Sequence, residues 1–508
     1  RISMFGRLRL NVALVVTLLV LAMAVPAMAA DGKFTIVHVN DVHGHIEPFV
    51  RSGAKEDVGA LAKAAVYVEE MRKENPNILL LSAGDMIHGT NVVNFFGGLP
   101  MVEIMNHMGF DAMALGNHEF NYGQEQLLKL AQAATFPFLA ANVVRDDGVV
   151  LTRDYEIFEV GGVKVGVFGL SPLETPIVTH PKNVVGLSFI PAADVAAKMV
   201  EALQGQVDII VCLSHLGYHD DKVIAAEVPG IDAIVGGHSH TTIAKPEVVG
   251  DTIIVQTGDW AENVGMLNLV VAGGKVTSFD GGLVQMKANM PAPAADHPVG
   301  ATLAKYNAAL TEKMAVKVGR TEVALDGERA NVRTRTTNLS NLITDAMREF
   351  SGADMVLTNG GGIRASIKAG DITIGDIYTV LPFTNTIVAI ELTGDKIVSA
   401  LEHGLSAYPA QLGGFCQVSG MTVKFDPAKP AGSRVLEVLV AGEPIVADKL
   451  YVLATNDFMA AGGDGYVWFT ESIPVFDSGV MLSDVLTEYI EARGTVEAPT
   501  EMRIQPIQ

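Results

Sequence analysis

The chain of 508 residues has only two cysteines, Cys212 and Cys416. Two thiols so far apart supply neither a cysteine-based structural zinc site nor a disulfide framework. Cys212 sits inside an apolar run and reads as a small buried hydrophobe. Basic residues are also scarce: 36 Lys and Arg stand against 57 Asp and Glu, for a net charge of −21 and an isoelectric point near 5.0. That balance excludes a nucleic-acid polymer as partner, because a phosphate backbone needs a basic surface. It leaves room for a small nucleotide, whose charge a few arginines and metal ions can meet locally. The sequence shows no internal repeat and no long low-complexity segment. An apolar run at residues 12–25, interrupted by Thr17, is too short for a comfortable membrane span. It follows Arg1, Arg7 and Arg9, ends at Pro26 and precedes Ala27-Met28-Ala29, a small-x-small cleavage pattern. The expectation is an export signal at residues 1–29 and a mature chain beginning near Ala30, periplasmic or extracellular, with no stable membrane span in the mature form.

The full chain is 49% hydrophobic and only 18% charged, which at this length predicts two globular cores. From residue 34 to about 285, short apolar runs alternate with helical patterns such as residues 58–71, 101–108 and 124–133, the signature of an α/β domain. Residues 155–160 and 163–169 read as a hairpin through Gly161-Gly162. Five apolar runs end alike. Residues 34–40 lead to Asp41 and His43, residues 77–82 to Gly84-Asp85, and residues 111–115 to Gly116-Asn117-His118-Glu119. Residues 207–213 lead to Ser214-His215, and residues 232–235 to Gly236-Gly237-His238-Ser239-His240. One histidine pair alone is more often structural than ligating. Five such ends describe one site rich in oxygen and nitrogen donors, since open α/β sheets place ligands at strand ends. Imidazole and carboxylate donors suit Zn, Mn, Fe or Co.

In that order, Asp-x-His, Gly-Asp, Gly-Asn-His-Glu, His and Gly-His-x-His resemble the two-metal calcineurin-like phosphoesterases. In the second half, Thr358-Asn-Gly-Gly-Gly-Ile-Arg364, Leu381-Pro-Phe383 and Asn456-Asp-Phe-Met-Ala-Ala-Gly-Gly-Asp-Gly-Tyr466 are similar to the C-terminal domain of bacterial 5′-nucleotidases and UDP-sugar hydrolases. The resemblance implies an N-terminal four-layer α/β/β/α sandwich at residues 30–290. It further implies a linker and bridging helix at 291–320, with a hinge at 311–320, and an α+β substrate-binding domain at 321–508. It assigns Asp41, His43 and His240 with a shared Asp85 to one divalent ion, and Asn117, His215 and His238 with Asp85 to a second. The ions would be Zn, Mn, Co or similar. His118 becomes the non-ligand group that stabilises the transition state, supported by Asn121 where nucleotidases carry aspartate. His240 also departs, from glutamine or asparagine, but imidazole is a sound ligand.

Gly360-Gly361-Gly362 forces a tight turn without the Gly-Lys-Ser/Thr ending of a Walker loop, and taken alone is an ordinary turn. Within the resemblance, Arg333, Asn359 and Arg364 bind substrate, with Arg335 as a further candidate. Phe383 and Phe458 sandwich the base, and Asp464 takes the ribose hydroxyls. The implied function is an exported 5′-nucleotidase that cleaves nucleoside monophosphates with a metal-activated water, with UDP-sugars as further substrates. The alternative is a 2′,3′-cyclic-nucleotide 2′-phosphodiesterase/3′-nucleotidase, favoured by Asn121, which resembles the relatives that cleave cyclic nucleotides. A non-enzymatic nucleotide-binding protein would be favoured by missing ligands, and none is missing. Elsewhere, His88 and Asn91 either line the cleft or open a helix. His45 and Glu47 shape the loop beside His43, and His219, Asp220 and Asp221 read as solvated loop.

Overall fold

The structure is a computed structural model that describes residues 31–50, 55–179 and 181–507; the expected export signal lies outside them. Two six-stranded sheets stack face to face in the first half. One runs in the order Lys275–Gln285, Asn263–Ala272, Gly32–Val39, Ile78–Ser82, Ala112–Ala114, Phe138–Leu139. The other runs Glu247–Val249, Thr252–Val255, Ala233–Gly236, Ile209–Ser214, Val163–Leu170, Tyr155–Val160. The two-residue alternation of a strand sets the layers. Phe34 and Ile36 enter the core between the sheets with Leu79, Leu81, Val165 and Val211, while Val37 and Val39 face the outer helices. Helices Leu61–Glu74, Leu99–Met108 and Gly123–Ala133 cover the first sheet, and Ala192–Leu203 and Tyr218–Glu227 cover the second. This is the α/β/β/α sandwich expected.

Strands Gly32–Val39, Ile78–Ser82 and Ala112–Ala114 are mutually parallel, as are Ile209–Ser214 and Ala233–Gly236. Their carboxyl ends therefore open along one edge of each sheet, and every motif begins there. Helix Pro298–Met314 fills most of the segment expected as linker and bridging helix. Proline is accommodated in a helix's first turn, and the His297 side chain caps it by accepting from the Val299 amide. The helix packs on Leu99–Met108, with Tyr306 donating to Glu103 at 2.9 Å.

In the second half a five-stranded sheet runs Cys416–Ser419, Met355–Asn359, Leu450–Asn456, Thr386–Thr393, Ile473–Met481. Helices Asn338–Ser351 and Leu482–Arg493 pack on one face and Gly394–Gly404 on the other. Edge strand Ile473–Met481 also lies against Thr175–Val178 of the first half. Cys212 and Cys416 are both buried and unbridged. Among the described residues no helix is long and apolar enough to cross a membrane.

Candidate active site

Backbone hydrogen bonds zip the motif loops together: Asp41 N–H donates to Gly84 O at 3.0 Å, and His43 N–H to Asp85 O at 2.9 Å. The loops turn so sharply that Asp41, His43, Asp85, His238 and His240 all take left-handed φ, between 46° and 71°. Left-handed backbone costs a non-glycine residue about 1–2 kcal/mol, so five such residues in one place mark a site over-determined by its surroundings. Gly116 makes the close approach possible. A Cβ there would fall 2.2 Å from Asp85 Oδ1 and 2.8 Å from His215 Nε2.

The donor atoms converge. Asp41 Oδ1 lies 3.3 Å from His240 Nε2, 3.7 Å from His43 Nε2 and 3.8 Å from His215 Nε2. Asp85 Oδ2 lies 3.0 Å from His215 Nε2 and 3.8 Å from His43 Nε2, and reaches toward both groups of donors. The triads Asp41, His43, His240 and Asp85, His215, His238 each hold their ligand atoms within 4.8 Å of one another. Asp41 Oδ1, Asn117 Oδ1 and His215 Nε2 are buried without a hydrogen-bond partner; the 3.0 Å approach of His215 to Asp85 is misaligned for one. A bare buried polar atom costs about 1–3 kcal/mol. A carboxylate oxygen, an amide oxygen and an imidazole nitrogen are the lone pairs that divalent ions take, so the residues fit the metals.

The other lone pairs are already used. Asp41 Oδ2 accepts from Asn40 Nδ2 at 2.7 Å and from the His238 amide at 2.9 Å. Asp85 Oδ1 accepts from the His118 amide at 2.9 Å. His215 Nδ1 donates to Ala83 O, which leaves Nε2 facing the donors.

His118 Nδ1 accepts from Asn121 Nδ2 at 2.8 Å, and Asn121 Oδ1 accepts from the Thr179 hydroxyl at 3.1 Å. With Nδ1 accepting, the ring's hydrogen sits on Nε2. Burial, against the pull of Asp85, pushes the His118 ring down to about 4. His88 stacks on His118 with centroids 5.5 Å apart at 8°, so it lines the site, whereas Asn91 opens the short helix Asn91–Asn94.

In the second half, Arg333, Asn359, Arg364, Phe383, Phe458 and Asp464 all line one cavity of about 330 Å³. Phe383 and Phe458 are 47% and 45% exposed, more than any other described phenylalanine. The Arg364 guanidinium stands 5.6 Å from the Phe383 ring centre. Asp464 Oδ2 accepts from Asn359 Nδ2 at 2.7 Å. Arg335 does not line the cavity; it is turned onto Asn331 Oδ1.

Several contributors carry no readable motif. Glu119 belongs to one, yet its role appears only in space. Its buried carboxylate accepts from the amides of Asp85, Met86 and Gly116 at 2.7–2.8 Å and so clamps the Asp85 loop. Glu174 Oε1 lies 3.0 Å from His238 Nε2, and Asp259 Oδ2 lies 3.5 Å from His240 Nδ1. Carboxylates behind imidazoles fix ring orientation. Gly479 of the second half packs on Asn121, where a Cβ would fall 2.2–2.4 Å from the amide atoms. Asp221 corrects an expectation: helix Tyr218–Glu227 buries it, Ser214 Oγ donates to it, and burial pushes its carboxyl up to about 8. His45 does shape its loop, stacking on Trp260 at 4.4 Å.

Residues 34–242 match the calcineurin-like phosphoesterases, and residues 317–471 match the C-terminal domain of 5′-nucleotidases. Fold, donor cluster and these matches define a phosphoester hydrolase of the class that works with two divalent ions. The chain is 32% identical over 529 residues to the 5′-nucleotidase of Bos taurus, covering 94% of this chain and 91% of that protein. It is 35% identical over 543 residues to the trifunctional nucleotide phosphoesterase protein YfkN of Bacillus subtilis (strain 168), covering 95% of this chain but only 36% of that protein. A 5′-nucleotidase precursor from Thermus thermophilus superposes with TM-score 0.59 at 36% identity, over 94% of this chain and 99% of its own. The chain belongs to the 5′-nucleotidase family.

Proposed function

We propose that this chain hydrolyses nucleoside 5′-monophosphates to nucleoside and phosphate. The observation that carries the reading is the cavity that places two exposed phenylalanines beside two arginines and Asp464. Aromatic faces stack on any base, guanidinium forks pair with phosphate, and a carboxylate accepts from ribose hydroxyls. Asp41, His43, Asp85, Asn117, His215, His238 and His240 hold two divalent ions of the Zn, Mn or Co kind. When bound, such ions supply Lewis-acid polarisation of the phosphoryl group and a water nucleophile near neutral pH. His118 presents its Nε2 hydrogen to the phosphoryl or leaving oxygen, held by Asn121 from behind.

The cavity is lined by second-half residues alone, and the donors come from the first half alone. Turnover therefore requires both to face one phosphate, and the proposal includes a closure of the second half onto the cluster. The proposed hinge is residues 311–320, between domains at 30–290 and 321–508, where helix Pro298–Met314 gives way to strand Lys317–Thr321. The composition of residues 1–29 supports export to the periplasm or the cell exterior.

A second reading is hydrolysis of 2′,3′-cyclic nucleotides, and the hydrogen bond from Asn121 favours it. An amide does not favour a protonated imidazole as a carboxylate would. A cyclic diester carries one negative charge, less than a monoester carries, so it loses less from a neutral His118. Turnover of AMP, 2′,3′-cyclic AMP and UDP-glucose by purified protein, with and without added Mn²⁺, Co²⁺ or Zn²⁺, decides. Preference for AMP is expected. Preference for the cyclic substrate promotes the second reading, and no metal-dependent turnover of any nucleotide overturns both.

A further inference from the structure

We propose that His403, remote from the donor cluster, is a positioning residue for ribose recognition. It acts by anchoring the backbone of Asp464, and the inference rests on the nucleotide reading above.

Asp464 sits in an unfavourable place for a residue that must aim its side chain. It lies within Gly462-Gly463-Asp464-Gly465 and takes φ 52°, flanked by Gly462 at 88° and Gly465 at 85°. Two long turn hydrogen bonds, Gly465 N–H to Gly462 O at 3.2 Å and Tyr466 N–H to Gly463 O at 3.3 Å, are its local support, and the neighbouring glycines leave the backbone free to turn either way. No neighbouring strand holds it: Asp464 is exposed and lies in a short turn. Its carboxylate reaches one second-half partner, Asn359, itself held by Asn456 at 3.0 Å.

The peptide itself is fixed from outside the cavity. His403 Nε2 donates to the Asp464 carbonyl at 2.7 Å. His403 lies in the last turn of helix Gly394–Gly404, which packs through Ile397, Ala400 and Leu401 into the core that holds Phe415 and Tyr466. Its ring meets Tyr466 edge-on at 5.0 Å and 86°, and Trp468 at a tilt of 51° and 5.8 Å. Gly465 lets the ring close in, since a Cβ there would fall 2.8–2.9 Å from it. Gly463 does the same for Phe458, whose ring and carbonyl lie 2.5–2.6 Å from the position of a Gly463 Cβ. One short segment, residues 457–465, therefore carries both the stacking ring and the ribose acid, and His403 pins its second turn to helix Gly394–Gly404. A carbonyl released at this point lets the peptide rotate, and Asp464 must then be ordered anew at each binding event.

The test separates the hydrogen bond from ring packing. His403→Phe keeps the ring and removes the donor; His403→Gln keeps an N–H donor and removes the ring. For each, KM and kcat are measured on AMP and on 2′,3′-dideoxy-AMP, with p-nitrophenyl phosphate as a substrate that has no ribose. The Phe variant is expected to lose about tenfold of the preference for AMP over the dideoxy analogue. The loss appears in KM with kcat held, p-nitrophenyl phosphate turnover is untouched, and the Gln variant recovers most of it. Should the Phe variant fail to fold, His403→Ala carries the same expectation. An unchanged preference in the folded variants, or an equal loss on all three substrates, overturns the proposal. Asp464→Asn is the control. If it collapses the preference and His403→Phe does not, only this inference falls. If Asp464→Asn itself keeps the preference, the assignment of Asp464 to ribose has failed, and this inference with it.

Discussion

Asp41, Asp85 and His215 in the first half are buried to within a few per cent, and five of the seven candidate metal ligands sit on left-handed backbone at strand ends. Phe383 in the second half stands on a loop and Phe458 on the single-turn helix Asp457–Ala460, and both are nearly half exposed. The two halves hold their functional groups differently because the tasks tolerate different errors. Metal coordination fails when a donor moves by fractions of an ångström, so its donors hang on sheet edges and are braced by Glu119, Glu174 and Asp259. Stacking tolerates lateral slip, because every base has a π-face. A loop and a single helical turn suffice for it, provided one anchor sets the polar contact.

The sharpest way to break this comparison is to remove the carboxylate that both donor groups share. Asp85→Asn is expected to lower turnover on every substrate by on the order of a thousandfold, with metal content falling by elemental analysis. A folded variant with near-normal turnover would end the two-metal reading. Next is Glu119→Gln, which replaces two acceptors of backbone N–H bonds with one acceptor and a donor. Its metal affinity should fall by roughly 10–100-fold in a calorimetric titration of the metal-free protein. Unchanged affinity would make Glu119 a packing residue. In the second half, Phe458→Ala should lose about 1–3 kcal/mol of stacking, seen as a raised KM for AMP, while p-nitrophenyl phosphate is little affected. Equal losses on both would remove the distinction between the halves.

The smallest expected effect concerns stability. Burial and the like charge of Asp477 push the Asp457 carboxyl up to about 7, beside the Phe458 loop. Because the folded-state value is raised, the contribution of Asp457 is fully present below about pH 4 and is lost as pH rises through about 7. Asp457→Asn should therefore raise the melting temperature by about 2–4 °C at pH 8 and leave it unchanged at pH 4. Equal shifts at both pH values would show that titration is not the cause.

The convergence of the seven candidate donor positions was legible because each follows an apolar run that reads as a buried strand, and parallel strands bring their ends together, while their division between two ions came from the resemblance. Phe383 and Phe458 were legible only through the motifs around them, since periodicity alone assigns a phenylalanine to the core. Glu174 and Asp259 were not legible. They reach His238 and His240 from loops with no spacing relation to the ligands, so only the folded chain pairs them. Asp221 misled for a related reason: a run of His and Asp looks solvated until helix Tyr218–Glu227 turns one of its faces inward. Pro298, near the start of the expected linker and bridging helix, already belongs to the first turn of the helix. The left-handed φ values leave no trace either, because Asp and His carry them where glycine would have signalled them.

The claim beneath these contrasts is that chemistry and nucleoside recognition are separable within one chain. Calorimetric binding of adenosine, which carries no phosphate, tests it most directly on two variants side by side. Asp85→Asn, inactive, is predicted to bind adenosine as the unmodified protein does, and Phe458→Ala, still able to turn over p-nitrophenyl phosphate, is predicted to bind it far more weakly. Loss of adenosine binding in a folded Asp85→Asn protein, or full binding in Phe458→Ala, would contradict the account.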